Sequence, residues 1–161
     1  MSVITTAGTP GVNRFTRSQL LRTARLFATD PDLAHLVDLG STERQWHRLD
    51  ATDHLEIWLL GWPARTTTGW HDHGDSEGAF LTVRGALTET TWSRGEFHDR
   101  ELGAGEGRSF GVRHVHEVSN LGSLPALSVH AYSPALTRMT RYAVVGDRLE
   151  ATGVEQAGAD W

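Results

Sequence analysis

From Gly40 to Val145 the chain runs in short segments of period two, each closed by a turn that usually carries glycine, and this pattern points to antiparallel β-structure. Trp46, Arg48, Leu55, Ile57, Leu59 and Trp62 mark the first two segments, separated by Asp50-Ala51-Thr52-Asp53. Others follow at residues 79–83, 86–91, 107–110, 116–118, 126–132 and 142–145. Gly85, Gly95, Gly103-Ala104-Gly105, Asn120-Leu121-Gly122 and Gly146-Asp147 supply the turns between them. Before Gly40 the spacing is helical: Leu20, Leu21, Ala24, Leu26 and Phe27 share a face, with Thr16 or Ser18 as cap. Pro31 interrupts this segment, and residues 32–37 predict a second short helix ended by Gly40. Residues 1–15, rich in Thr, Gly and Pro, are expected to be flexible, and residues 16–161 to form one domain. The fold class predicted is mainly β, a small barrel or jelly roll capped by short N-terminal helices.

Composition narrows the function. A length of 161 residues suits one core, and six tryptophans suit either that core or the wall of a pocket. The net charge of −5, with no cluster of Lys and Arg, argues against a nucleic-acid partner. The absence of cysteine removes disulfides, thiolate metal sites and cysteine nucleophiles, and agrees with a cytoplasmic location. Residues 1–16 lack a basic region followed by an apolar run, so no signal peptide is expected. The longest apolar stretch, residues 57–60 with Trp62 beyond, is too short for a bilayer, so no membrane partner is expected.

The strongest chemical signal is Trp70-His71-Asp72-His73-Gly74. On an extended strand, residues two apart face the same way, so His71 and His73 can reach one ion. His116, far along the chain, is the best third ligand. Three neutral imidazoles leave coordination positions open, which a catalytic metal needs. Twelve residues after His73 comes Gly85; Gly105 and Gly111 precede His116, and Asn120 follows it by four. These features resemble the two cupin motifs. His114 shares the parity of His116 and is a rival ligand, although its spacing to Asn120 does not fit. The usual cupin glutamate falls at Gly78; Glu77 is one residue early, on the opposite face unless a bulge intervenes. A site of three histidines is the expectation.

The segment Ser128-Val129-His130-Ala131-Tyr132-Ser133-Pro134, together with His71-Asp72-His73-Gly74-Asp75-Ser76, narrows the likeness. Over residues 46–136 the chain resembles the cysteine dioxygenase type I family of thiol dioxygenases. That resemblance implies a cupin barrel with one iron(II) per chain, converting a small thiol and dioxygen to the sulfinic acid. L-cysteine is the first candidate substrate and 3-mercaptopropionate the alternative; another metal or a non-catalytic barrel is the remoter reading. It further implies that His71, His73 and His116 bind iron and that Ser128, His130 and Tyr132 form an outer triad. Arg48 matches an arginine that grips the substrate carboxylate, and Trp46 stands where many members have tyrosine. Gly78 occupies the place of a cysteine that some members crosslink to the tyrosine.

Strand parity agrees that Ser128, His130 and Tyr132 face one way, with Ser128 orienting His130 and His130 orienting Tyr132. The same parity would also suit a solvated strand face. Arg65 and Arg113 compete with Arg48 as anion clamps, while His35, His47, His54 and His98 are read as surface residues. The protein is expected to act as a monomer.

Overall fold

The computed structural model describes residues 13–157. Most of the stretch expected to be flexible, residues 1–12, lies outside the described residues. Its last part is attached: the Phe15 N–H donates to Ser133 Oγ at 3.0 Å, and Arg14 Nη1 donates to the Asp75 carbonyl at 3.2 Å.

Helix α1 spans Arg17–Phe27. Thr16 starts it with a capping box, its hydroxyl accepting from the Gln19 N–H while Gln19 Oε1 accepts from the Thr16 N–H. Leu20 and Ala24 form the buried face. The second helix expected at residues 32–37 is only a 3-10 turn, Leu33–His35. Leu33 is its one fully buried residue; Ala34 and Val37 pack against the core only in part, and Leu36 stays 44% exposed.

Eleven strands follow: β1 (Gln45–Ala51), β2 (Glu56–Trp62), β3 (Thr66–Thr67), β4 (Glu77–Arg84), β5 (Ala86–Ser93), β6 (Glu96–Gly103), β7 (Gly107–Phe110), β8 (His116–Asn120), β9 (Ala126–Ser133), β10 (Arg138–Val145) and β11 (Arg148–Gln156). One sheet has the order β1-β2-β9-β4-β7, a second β3-β8-β5-β6, and β10-β11 form a separate hairpin. Pairing is antiparallel throughout, and β9 inserts between β2 and β4. The chain therefore crosses between sheets as a jelly roll does, rather than meandering. The expected mainly-β architecture is the one observed, with a single α-helix among the described residues. Strand β6 gives no signal in the sequence because its first six residues are exposed and lack apolar alternation. Strand β11 is equally polar.

Apolar side chains pack in two layers. Between α1 and the five-stranded sheet lie Leu20, Ile57, Leu59, Leu81, Val129 and Ala131. Between the two sheets lie Trp62, Phe80, Leu87, Leu102, Phe110 and Val118. The five-stranded sheet is thus covered on both faces, and all eight residues of β9 are buried. That excludes a solvated face for Ser128, His130 and Tyr132. Asn120 clips the end of β8: its Nδ2 donates to the carbonyls of Trp62, Pro63 and Leu124, and its Oδ1 accepts from the Gly122 N–H. Replacing Leu20 by alanine is expected to lower the unfolding free energy by about 3 kcal/mol, as measured by urea denaturation, because it opens a cavity between α1 and the sheet.

Candidate metal centre and substrate cavity

Convergence of the histidines begins in the backbone. His71 and His116 exchange both N–H···O bonds, each 3.0 Å, as an isolated antiparallel bridge. Directly opposed residues of such a pair carry their side chains on one face. His73 follows two residues later in a loop rather than on a regular strand. Asp72 fixes that loop: Oδ1 accepts from the N–H groups of Gly74 (2.9 Å) and Thr140 (3.2 Å), and Oδ2 from the Tyr142 hydroxyl (2.7 Å). Gly74 then turns the chain at φ 58°, which favours glycine.

The ring centroids of His71, His73 and His116 lie 4.8–5.0 Å apart, and all three rings are buried. One donor atom from each lies within 4.8 Å of the others. Burial lowers the basicity of each imidazole, and the neighbouring charges of the cluster add to this at His71 and His73. All three are therefore neutral, the form that ligates metal. Nδ1 of His71 bonds the Gly69 carbonyl at 2.9 Å, and Nδ1 of His116 bonds Glu89 Oε1 at 2.8 Å, leaving Nε2 of each for an ion. Both ring nitrogens of His73 are buried without a hydrogen-bond partner. An orphaned buried imidazole is costly, and an ion held by the three rings would satisfy it. The residues present fit a metal.

Glu89, wholly enclosed, organises the outer layer. Its Oε1 also takes His114 Nε2 at 3.0 Å, and Arg108 Nη1 sits 2.9 Å from Oε2 as an ion-pair contact without hydrogen-bond alignment. Burial by itself would raise its pKa. Hydrogen bonds from His114 and His116, and the charges of His116 and Arg108, outweigh burial and hold the carboxyl down at about 2. The rival ligand His114 is thus committed to Glu89. Glu89, His114 and His116 also bring donor atoms within 4.8 Å of one another, and Glu77 joins neither this set nor that of His71, His73 and His116 among the described residues. At Gly78, any side chain would overlap the Phe110 ring and come within 3.0 Å of Tyr132. Phe110 fills the space where a crosslinking cysteine would stand.

Ser128, His130 and Tyr132 form one chain of contacts. Ser128 Oγ lies 2.7 Å from His130 Nε2, and the Tyr132 hydroxyl a long 3.4 Å from His130 Nδ1. A fourth member, missed in the sequence, sets their direction: Trp62 Nε1 donates to Ser128 Oγ at 2.8 Å. An indole can only donate. The Ser128 proton therefore goes to His130 Nε2, His130 carries its proton on Nδ1, and the Tyr132 hydroxyl is free to donate into the cavity. Burial pushes the His130 pKa down to about 3, so the ring has one proton to place. Burial, reinforced by Glu56, raises the Tyr132 pKa, which keeps the phenol protonated.

These groups open on a cavity of about 180 Å³, lined on the metal side by His71, His116, His130 and Tyr132. Trp46, Trp58, Leu60 and Met139 supply apolar wall. Its charged residues are Arg44, Arg141 and Glu155. Arg48, the expected carboxylate clamp, is not among the lining residues. Its side chain is 58% exposed, 3.6 Å from Glu56 Oε1, and its guanidinium stacks 5.8 Å over Trp58. Register explains the difference, because Arg48 sits opposite Trp58, whose ring lies at the cavity wall beneath it. Arg44, four residues earlier and of the same parity, lines the cavity instead, its guanidinium 5.5 Å over Trp62. That shared parity was the available signal. Arg65 and Arg113 are exposed and do not line the cavity, and His35, His47, His54 and His98 are exposed as well.

Fold and site together define a cupin metal centre. The family model for cysteine dioxygenase type I matches residues 27–144, and the chain belongs to that family. A comparison with curated proteins found no match. Among solved structures, a double-stranded β-helix protein from Klebsiella pneumoniae superposes with a TM-score of 0.56 at 15% identity, covering 66% of this chain and 90% of its own. The TT1209 protein from Thermus thermophilus gives 0.57 at 16%, covering 65% and 96%. Recombinant oxalate oxidase in complex with glycolate gives 0.57 at 16%, covering 71% and 63%. At such identities these similarities show the fold.

The Glu89 contact to His116 generates a prediction. Glu89→Gln is expected to weaken metal affinity by about 10–100-fold while leaving the fold intact, because the carboxylate orients a ligand and raises its basicity. Competition with a chelator reads the affinity and circular dichroism the fold.

Proposed function

We propose that the protein is an iron(II)-dependent thiol dioxygenase that converts a small carboxylate-bearing thiol, L-cysteine first among the candidates, to its sulfinic acid. The observation that carries this reading is the joining of an all-histidine centre to the Trp62–Ser128–His130–Tyr132 chain at the edge of one cavity. Family membership supports it.

The overall reaction, RSH + O₂ giving RSO₂H, balances without a reductant: sulfur loses four electrons, dioxygen gains four, and both oxygen atoms end on sulfur. Iron(II), held by His71, His73 and His116, would supply the open coordination positions and redox chemistry that bring a thiolate and dioxygen together. Because His71, His73 and His116 are neutral, they would leave the ion's positive charge uncompensated, which would favour a thiolate over a thiol beside it. Tyr132 donates its hydroxyl proton as a hydrogen bond toward charge that develops on oxygen, and His130 keeps that hydroxyl aimed. Ser128 and Trp62 hold His130 in the tautomer this requires. Arg44 takes the substrate carboxylate, since it lines the cavity and has no carboxylate within ion-pair distance among the described residues. The apolar wall of Trp58, Leu60 and Met139 limits water at the reacting atoms.

All these groups come from one chain, so we take the monomer as the working unit. We place it in the cytoplasm on its cysteine-free composition. No helix among the described residues is long and apolar enough to cross a membrane.

Iron-loaded protein is expected to consume dioxygen with a carboxylate thiol and to yield a product heavier by two oxygen atoms in mass spectrometry. Absence of uptake with cysteine, 3-mercaptopropionate and cysteamine alike would refute the assignment. Arg44→Met is expected to raise KM about tenfold or more, and Arg48→Ala to change it by less than about twofold. Tyr132→Phe is expected to lower kcat by about a hundredfold with little change in KM.

A further inference from the structure

Two of the three ligand histidines, His71 and His73, lie outside the regular strands of the barrel, and the C-terminal hairpin braces the segment that carries them. Strand β8 supports one side of this segment. The Thr68 N–H donates to the Val118 carbonyl at 2.9 Å, and His71 makes its bridge to His116. Strand β10 supports the other side. The Tyr142 N–H donates to the Trp70 carbonyl and the Asp72 N–H to the Thr140 carbonyl, each at 3.0 Å, with Arg141 opposite His71 between them. Two side chains reinforce this seam. The Tyr142 hydroxyl donates to Asp72 Oδ2 at 2.7 Å, and Arg141 Nη1 donates to the Thr68 carbonyl at 2.9 Å. Arg141 is itself held from behind, its Nη2 donating to Glu155 Oε2 on β11 at 2.8 Å. A further tie to the loop is the Arg113 N–H, which donates to the Gly74 carbonyl at 3.2 Å. At Gly74 the hairpin comes so near that a Cβ would lie 3.0 Å from Arg138 Cγ.

The ladder bonds of the hairpin run elsewhere. Strand β10 pairs along its length with β11, and the two strands stand apart from both barrel sheets. The hairpin can therefore swing away from residues 68–72 by breaking the seam alone, with every barrel ladder intact. Such an opening strips the two loop histidines of their support on one side. His116 keeps its own, since β8 stays paired with β5 and Glu89 still holds the ring. We infer that Tyr142 and Arg141 are positioning residues that set how fast a bound metal leaves, and that it leaves by opening of the C-terminal hairpin rather than by unfolding of the barrel. Tyr142 acts through Asp72, the residue between the two loop ligands, by a hydroxyl-to-carboxylate bond of the strong kind. Arg141 acts through Thr68, next to the Gly69 carbonyl that orients Nδ1 of His71. Outer contacts of this kind change metal affinity by about 10–100-fold when removed. The inference rests on the three-histidine centre and is independent of the reaction the metal serves.

The test measures release of iron(II) from loaded protein into an excess of chromogenic chelator under anaerobic conditions. Wild type, Tyr142→Phe, Arg141→Met and Leu20→Ala are compared. Release is expected to be about tenfold faster in Tyr142→Phe and in Arg141→Met. Leu20→Ala loosens the layer between α1 and the five-stranded sheet, away from the hairpin. Its release rate is expected to match the wild type although its urea midpoint falls further than those of the two hairpin variants. Amide hydrogen exchange is read on the same samples: residues 68–75 are expected to lose protection in the hairpin variants while β9 keeps its own. Release at the wild-type rate in both hairpin variants would overturn the inference. So would release that rises in step with the loss of urea stability across all three variants, because the contacts would then be merely structural. A wild-type protein that retains no iron(II) would contradict the three-histidine centre and the inference together. The expected order of release in a protein inactive toward every thiol would remove the dioxygenase reading and leave the role of the hairpin standing.

Discussion

The doubly hydrogen-bonded backbone pair between His71 and His116 is the constraint on which the site depends. It joins the loop after β3 to the start of β8, segments far apart in the chain, and forces two imidazoles onto the same face of the barrel. Once that pair is set, the third ligand needs only a short, rigid link. Asp72 supplies the rigidity by bonding Gly74, Thr140 and Tyr142 from between the two loop histidines. Thr140 and Tyr142 lie on β10, so the strand that anchors the ligand loop also carries Met139 and Arg141 to the cavity. The histidine loop and the cavity wall thus share one piece of scaffold.

A second consequence follows from covering the five-stranded sheet on both faces. Helix α1 closes the outer face, so β9 can be buried along its whole length. Its inward residues then stand away from water, and each polar atom among them needs a partner. Trp62, Ser128, His130 and Tyr132 meet that need as a directed chain whose free end is the tyrosine hydroxyl. Glu89 plays a comparable part behind His116, where a charge deep in the barrel is kept ionised by two histidines and Arg108. The polar interior is therefore ordered from outside inward, by a donor-only indole on one side and a carboxylate on the other.

Much of this is legible in the sequence where a residue's role is local. The period-two runs and their glycine turns point to the barrel, and the His-x-His spacing to the two ligands of the loop. The triad on β9 is legible through the family resemblance of its motif; parity puts its residues on one face but would suit a solvated face equally. What escapes is whatever depends on register between strands distant in sequence. Whether Arg44 or Arg48 reaches the cavity is decided by which of them lies across from Trp58, and only the pairing of β1 with β2 shows that. Glu89 sits in a strand with no motif, and its meaning comes from β8 alongside it. Glu155 lies on a polar strand with no amphipathic signal at all. The second short helix shrinks to a single turn in the stretch that Pro31 and Gly40 bracket, where Leu33 alone is fully buried.

The central claim is that three imidazoles bind one metal ion, and X-ray absorption of the iron(II)-loaded protein tests it most directly. The account predicts an iron shell containing three histidine nitrogens at about 2.1 Å, with the multiple-scattering pattern of imidazole rings. A shell with fewer than three imidazoles, or one in which a protein carboxylate replaces a ring, would contradict it.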